Sequence, residues 1–256
     1  MLQFVLTPAA GKRLIAKGIA AHAAVQAALK SATVVIVAGT TNGYVAEEVL
    51  KMLGREEGFC KDHFFRGITL PRFQPTADMG RLPDERMFPG DVVLVKGSWN
   101  KGKTIYDVLD SLKEGDVILK GANAVDLFTR RAAVLIGHPT GGTVIAALQA
   151  VAGRRVRLII PAGVEKRVSG DLDDLAAVMN APCVEGPRLL PVPGELFTEI
   201  DAISLITGCS ADLVAAGGVC GAEGAAWFAV SGDTEQEQSA RHLLQSVAGE
   251  PPFSLY

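Results

Sequence analysis

A predicted strand, a glycine-containing loop and a predicted helix follow one another without a break between Val34 and Glu48. Residues 34–37 are short, apolar and β-branched, which favours a strand buried on both faces. Residues 39–43 interrupt this run, and apolar residues then recur at helical spacing from Tyr44 until Gly54. A chain built this way has a polar loop at the carboxyl end of a buried strand.

The loop after this strand contains residue types that suit the binding of an anion. It consists of Gly39, Thr40, Thr41, Asn42 and Gly43. Glycines let backbone N–H groups converge, threonines add hydroxyl donors, and the amino terminus of the helix adds partial positive charge. The pattern predicts a phosphate-binding loop. The alternative is that the threonines and the asparagine only cap the helix.

Two later segments, residues 90–97 and 115–121, also contain a predicted buried strand followed by a polar residue and a glycine. Each consists of a turn, a predicted buried strand and a Lys-Gly pair, with Lys96 and Lys120 at the carboxyl ends. Strands that alternate with helices predict a mainly parallel sheet, and ligands of such sheets bind outside the carboxyl ends of the strands. We therefore expect Lys96, Lys120 and the Gly39 loop to lie along one rim. The alternative for both lysines is a turn without a ligand.

A second loop rich in glycine and threonine follows the predicted strand at residues 134–136. It contains His138, Thr140, Gly141, Gly142 and Thr143 and precedes a predicted helix. The loop lacks the Gly-Lys-Ser/Thr ending of a nucleotide-binding P-loop. Histidine exchanges protons near neutral pH, so His138 is a candidate acid or base.

Other charged residues are weaker candidates. Glu165 and Lys166 follow the predicted strand at residues 158–160, a position that fits either catalysis or plain surface charge. Arg66 and Arg72 are candidates to reach a phosphate, and ordinary surface arginines are the alternative.

The composition excludes several classes of protein. The net charge is −3, the pI is about 5.8 and the basic residues are dispersed, so we expect no nucleic-acid partner. The four cysteines form no Cys-x-x-Cys pair, which predicts reduced thiols and no metal site. No apolar run reaches the length of a membrane span, and the amino terminus lacks the pattern of a signal peptide. We therefore expect a cytoplasmic protein without membrane contact, and no motif indicates a cofactor.

A proline-rich stretch predicts the division of the chain. Residues 182–193 contain four prolines. They predict a boundary between a main α/β ligand-binding domain, residues 1–193, and a small C-terminal α/β subdomain, residues 194–256. In the latter we predict a strand at 202–206, a helix at 211–216, a strand at 225–230 and a helix at 234–247.

Three segments, in this order along the chain, resemble one superfamily. They are residues 39–42, residues 120–126 and residues 137–143. The chain is similar to ribose-5-phosphate isomerase, glucosamine-6-phosphate deaminase, CoA transferases, the sensor domains of DeoR-type repressors and the initiation factor two-B subunits. The resemblance covers roughly residues 30–165. It implies a doubly wound α/β fold with a mainly parallel sheet, and a homo-oligomer.

The middle segment departs from the superfamily at the acidic positions. In the pentose-phosphate isomerases it reads Asp-Gly-Ala-Asp-Glu-Ile/Val-Asp, and this chain has Lys120, Asn123 and Ala124 at three of these positions. Gly121, Ala122 and Asp126 are among the positions that match. An aldose–ketose isomerase needs a carboxylate to move a proton between adjacent carbons, which an asparagine cannot do. In this chain Asp126 or His138 would have to move the proton.

The first hypothesis for the function is a site for a phosphorylated small metabolite, a sugar phosphate, which an enzyme of this type would isomerise through an enediol. Residues 39–43 would hold the phosphate, with residues 141–143 beside them. Lys96 and Lys120 would neutralise charge, and Asn123 and Asp126 would bind hydroxyls. Lys120, Asp126 and His138 are the candidate catalytic residues. The second hypothesis is a non-catalytic subunit for metabolite sensing or assembly, which the loss of paired carboxylates favours. A CoA transferase or thioesterase is the third.

Overall fold

The computed structural model of the chain describes residues 1–66 and 88–253, and within these ranges it contains twelve β-strands and eight α-helices. The strands are β1 (Leu2–Leu6), β2 (Thr33–Ile36), β3 (Val92–Val95), β4 (Ser98–Trp99), β5 (Val117–Leu119), β6 (Ala124–Asp126), β7 (Arg131–Ile136), β8 (Arg157–Pro161), β9 (Arg188–Val192), β10 (Glu195–Phe197), β11 (Ser210–Ala216) and β12 (Ala226–Ser231). The helices are α1 (Pro8–Ala21), α2 (Ala23–Ser31), α3 (Thr40–Met52), α4 (Ile105–Val108), α5 (Gly142–Arg154), α6 (Leu172–Met179), α7 (Glu199–Thr207) and α8 (Thr234–Ala248).

The central sheet has six strands in the order β10-β8-β5-β2-β3-β4. Strands β10, β8, β5 and β2 run parallel, whereas β3 is antiparallel to β2 and β4 is antiparallel to β3. The predicted α/β class with a mainly parallel sheet is confirmed at this level.

Both faces of the central sheet are buried. In β2 and just beyond it, Val34 and Ile36 pack into one core, and Val35 and Val37 pack into the other. The first core contains residues of α1, α2 and α3, and the second contains residues of α4, α5 and β7. Because every position of such a strand contacts a core, the strands read as continuous apolar runs.

Strand β7, the strand predicted at residues 134–136, lies outside the central sheet. It pairs with β6 and β9 in an antiparallel sheet of three strands. Only four residues, 127–130, connect β6 to β7. A connection this short can form a hairpin but not the crossover that parallel neighbours require.

The C-terminal elements form a third sheet, β1-β12-β11, with the first strand of the chain. The strand predicted at residues 202–206 is helix α7, and the helix predicted at residues 211–216 is strand β11. Helix α7 starts at a capping box formed by Thr198 and Asp201, and it ends at Gly208, whose φ is +76°. Strand β10 lies after the predicted boundary at residue 193 and pairs with β8, which lies before it. The predicted division into two domains stays a prediction.

Candidate functional site

The carboxyl ends of the four parallel strands lie along one edge of the central sheet, which we call the rim. Strand β2 leads to Gly39, β5 to Lys120, β8 to residues 162–166 and β10 to Glu199. The rim therefore collects side chains that are far apart in the sequence. Such an edge is where α/β proteins bind ligands.

The Gly39 loop joins the rim at the start of α3. The Gly39 N–H donates to the carbonyl oxygen of Phe64 at 3.1 Å. The Asn42 Nδ2 donates to the carbonyl oxygens of Val37 at 2.7 Å and Leu119 at 2.9 Å, which ties β2 to β5. Thr41 is 2% exposed, and its hydroxyl has no hydrogen-bond partner among the described residues. Asn42 thus has a structural role, and the Thr41 hydroxyl is left for another partner.

Asp91, which sequence analysis missed, is a fully buried carboxylate at the amino end of β3. Because β3 runs antiparallel to β2, this end lies at the rim. The two carboxylate oxygens accept from the Ala38 N–H at 2.9 Å, the Ile105 N–H at 2.8 Å and the Arg66 Nη2 at 3.3 Å. Asp91 therefore fixes the end of β2 and holds Arg66 at the rim. Arg72, the other predicted arginine, lies outside the described residues.

Lys120, predicted from the sequence as a site residue, directly follows β5. Its backbone N–H donates to the carbonyl oxygen of Ile159 at 3.1 Å, so the backbone is held between β5 and β8. Burial lowers the pKa of the amine to about 8, and the positive charges of Arg66 and Lys166 act in the same direction, against the opposing effect of Asp91. The amine of Lys120 thus loses its charge closer to neutral pH than an ordinary lysine does.

A second group of charged residues lies where β8 and β10 end. Glu199 is 3% exposed and accepts from the Val164 N–H at 2.9 Å. Burial, together with the negative charge of Glu165, raises the pKa of Glu199 to about 8. The Lys12 amine lies 3.9 Å from Glu165, and the Lys166 amine donates to the carbonyl oxygen of Ala122 at 2.9 Å. Sequence analysis named Glu165 and Lys166 but missed Lys12 and Glu199.

Lys96 lies at the opposite edge of the sheet from the rim, which corrects the prediction that it accompanies Lys120. Val95 pairs with Thr33, the first residue of β2, and the Lys96 N–H donates to the carbonyl oxygen of Ala32 at 2.8 Å. Lys96 lies there because β3 runs antiparallel to β2, so that the carboxyl end of β3 is at the end of the sheet opposite the rim. Lys96 is exposed, and its φ of +48° belongs to the turn between β3 and β4.

Asp126 and Asn123 lie at the β6–β7 hairpin. The carboxylate of Asp126 accepts from the N–H groups of Phe128 at 2.8 Å and Thr129 at 3.1 Å, and from the Thr129 hydroxyl. This hydroxyl and the two N–H groups lower the pKa of Asp126. The Oδ1 of Asn123 accepts from the Leu135 N–H at 3.0 Å. Both side chains therefore shape the hairpin. Gly121, between Lys120 and Ala122, remains at the rim.

The second predicted loop extends from the antiparallel sheet to α5. The Nδ1 of His138 lies 3.2 Å from the Thr140 N and 2.8 Å from the Thr140 Oγ1, and the carbonyl oxygen of His138 accepts from Arg188 at 3.0 Å. Gly141 and Gly142 both have positive φ, +82° and +61°, and Thr143 follows in the first turn of α5. These contacts connect the loop to β9, and the described contacts of the Gly39 loop are with β5 and Phe64 instead.

Residues 1–66 and 88–253 contain neither a cluster of metal-ligating side chains nor a membrane-spanning helix. No group of three or more His, Cys, Asp or Glu side chains in these ranges could hold a metal ion. No helix in these ranges is long and apolar enough to cross a membrane.

No protein-family model, curated protein or solved structure matches the chain.

Proposed function

We propose that the rim binds a phosphorylated small metabolite, a sugar phosphate. The observation that carries this proposal is the buried Thr41 hydroxyl in the first turn of α3, which has no hydrogen-bond partner in the part of the chain that the structure describes. A buried polar group without a partner costs free energy, and an anion at the amino terminus of a helix would supply an acceptor. Arg66, Lys120 and Lys166 add positive charge to the same edge.

The proposal extends to the doubly wound fold of ribose-5-phosphate isomerase and CoA transferases, with its homo-oligomeric assembly. Under this proposal the reaction is isomerisation through an enediol. A carboxylate must then move the proton, and Glu165 with Glu199 suits this role better than Asp126, whose oxygens accept three hydrogen bonds from its own turn. The Glu165 and Glu199 carboxylates also influence one another electrostatically, which suits proton exchange.

A non-catalytic subunit that senses a metabolite is the second candidate. The engagement of Asp126 and Asn123 in the hairpin favours it, because these residues, at two of the four acidic positions of the isomerase segment, are structural here. The two functions differ in turnover. Conversion of a bound sugar phosphate to its isomer supports the enzyme, and binding without conversion supports the sensor.

Thermal unfolding with inorganic phosphate, sugar phosphates and CoA esters tests the site. A ligand at 100 times its Kd adds about 2.7 kcal/mol to the free energy of unfolding, which raises the Tm of a chain of this size by roughly 5–10 °C. The diagnostic variant is Thr41→Val, which keeps the shape and removes the hydroxyl. We expect it to lose most of the shift with phosphates and to keep its stability without ligand.

The matched control is Thr143→Val in the second loop, which we expect to keep the shift. If Thr143→Val abolishes the shift and Thr41→Val does not, the phosphate binds at α5 and the proposed site is wrong. A shift with CoA esters alone would favour a thioester site over a sugar phosphate.

A further inference from the structure

The amine of Lys120 differs in its contacts from two other partly buried lysine amines, those of Lys166 and Lys61. The amine of Lys166 donates to a carbonyl oxygen at 2.9 Å, and the amine of Lys61 lies 3.1 Å from the carboxylate of Asp62. Within residues 1–66 and 88–253 the Lys120 amine has a single, long hydrogen-bond contact of 3.5 Å, to the carbonyl oxygen of the adjacent Gly121. Among the described residues it has no carboxylate within ion-pair distance. Once the amine is uncharged, its lone pair is therefore not engaged by any group in the described part of the chain.

The charged groups around Lys120 favour the uncharged amine. Arg66 and Lys166 both repel a positive charge there. Asp91 attracts one, but its oxygens already accept hydrogen bonds from Ala38, Ile105 and Arg66. With a pKa of about 8, about a tenth of the Lys120 amines are uncharged at pH 7, compared with far fewer than 1% of ordinary lysines. An uncharged lysine amine is the nucleophilic form.

We propose that Lys120 is a nucleophile that forms an imine with the carbonyl carbon of a phosphorylated aldehyde or ketone bound at the rim. The proposal rests on the phosphate site described above and narrows its substrate to carbonyl compounds. The amine nitrogen forms a bond to the carbonyl carbon. The carbonyl oxygen leaves as water and carries two hydrogens, the number that the nitrogen gives up, so the step needs no oxidant or reductant.

The imine gives the charged residues at the rim separate roles. Once protonated, it withdraws electrons from the adjacent carbon and makes the hydrogen on that carbon more acidic. The phosphate group would be held by the amino terminus of α3 and by Arg66. Lys120 would then act on the carbonyl rather than only neutralise charge.

Reductive labelling with pyridoxal phosphate, used as a reagent that carries both an aldehyde and a phosphate, tests the proposal. The protein is incubated with the reagent and sodium cyanoborohydride, digested, and the labelled lysines are located by peptide mass spectrometry. At pH 7 and limiting reagent we expect Lys120 to carry at least ten times more label than Lys96, the exposed lysine at the opposite edge. We also expect the labelling of Lys120 to reach half its maximum near pH 8.

Three comparisons separate this inference from the phosphate site. Inorganic phosphate should suppress labelling of Lys120 and not of Lys96, and Lys120→Arg should remove the main labelled peptide. Pyridoxal without its phosphate should label Lys120 less. Equal labelling with both aldehydes would remove the support for the phosphate site and keep the nucleophile. If phosphate stabilises the protein but Lys120 is labelled no more than Lys96, the nucleophile is wrong and the phosphate site stands.

Discussion

Individual carboxylates at the rim have different surroundings and therefore different ionisation. Asp91 accepts two backbone N–H groups and the guanidinium of Arg66, which compensate the burial of a negative charge. Glu199 accepts one backbone N–H group and lies near Glu165, a second negative charge. Burial and the charge of Glu165 outweigh the opposing effect of Lys12 and favour the protonated form of Glu199. At pH values between the two pKa values, the folded protein therefore keeps a proton on Glu199 that the unfolded chain releases.

The raised pKa of Glu199 predicts how stability depends on pH. Between its ordinary value of 4.5 and about 8, the folded state binds a proton that the unfolded state releases. The free energy of unfolding therefore falls as the pH rises through this window, by about 1.4 kcal/mol per pH unit at most. Glu199→Gln cannot ionise and should escape this loss. In urea unfolding at pH 5, 6.5 and 8, the free energy of unfolding of the variant relative to that of the parent should increase with each step.

A suitable control is Asp173→Asn. Hydrogen bonds from Arg131 lower the pKa of Asp173, and the arginine keeps its charge over this whole pH range. The contribution of Asp173 is present above its ordinary pKa of 3.8 and is lost only as the pH falls below that value, so this variant should differ from the parent by a constant amount between pH 5 and 8. If Glu199→Gln behaves in the same way, Glu199 is ionised in the folded protein.

At the scale of elements, β3 and β5 have similar sequences but run in opposite directions on either side of β2. β3 and β5 each follow a Gly-Asp pair, and both aspartates are buried. Asp116 accepts from the Thr33 N–H at 2.7 Å, at the start of β2, and Asp91 accepts from the Ala38 N–H, just beyond its end. The same local pattern thus fixes β2 from both ends. Lys96 and Lys120 consequently lie at opposite edges.

The contact of α1 with α7 predicts the effects of two glycine substitutions. A Cβ at Gly18 would lie 2.8 Å from the Ala202 Cβ and 2.8 Å from the Phe197 ring, whereas one at Gly153 in α5 would meet nothing within 4 Å. Gly18→Ala should lower the free energy of unfolding by about 1–3 kcal/mol through overpacking. Gly153→Ala should raise it by up to about 1 kcal/mol through helix propensity.

Urea unfolding of both variants measures the difference. Because the substitution is the same, the intrinsic preference for alanine is common to both sites. A stabilising Gly18→Ala would mean that α1 and α7 leave room for a methyl group at residue 18.

At the scale of the whole molecule, the two ends of the chain share a core. Strand β1 pairs with β12 over five residue pairs, from Leu2 and Val230 to Leu6 and Ala226. The first core extends from Leu6 to Val247 in the sequence. The elements after residue 193 are thus in contact with the start of the chain.

These contacts predict that residues 1–193 do not fold alone. Such a fragment would lack Phe197, Ile203, Phe228 and Leu244 from the first core, and it would leave β1 without its partner β12 and β8 without its partner β10. We expect it to unfold without a cooperative transition, and we expect the addition of residues 194–256 to restore one. The measurement is circular dichroism during urea titration. A cooperative transition of the fragment by itself would support the predicted division into two domains.

The sequence by itself determined the α/β class, because buried strands and amphipathic helices have distinct periodicities, and it placed Thr41, Lys120 and Gly121 at strand ends. It missed α7 and β11 because short segments are ambiguous until neighbours are known: the pairing of β11 with β12 decides its state. Strand direction, which separates Lys96 from Lys120, and the burial that perturbs Lys120 and Glu199 were decided only by the tertiary structure. The physical reason is that both arise from contacts between residues distant in the chain.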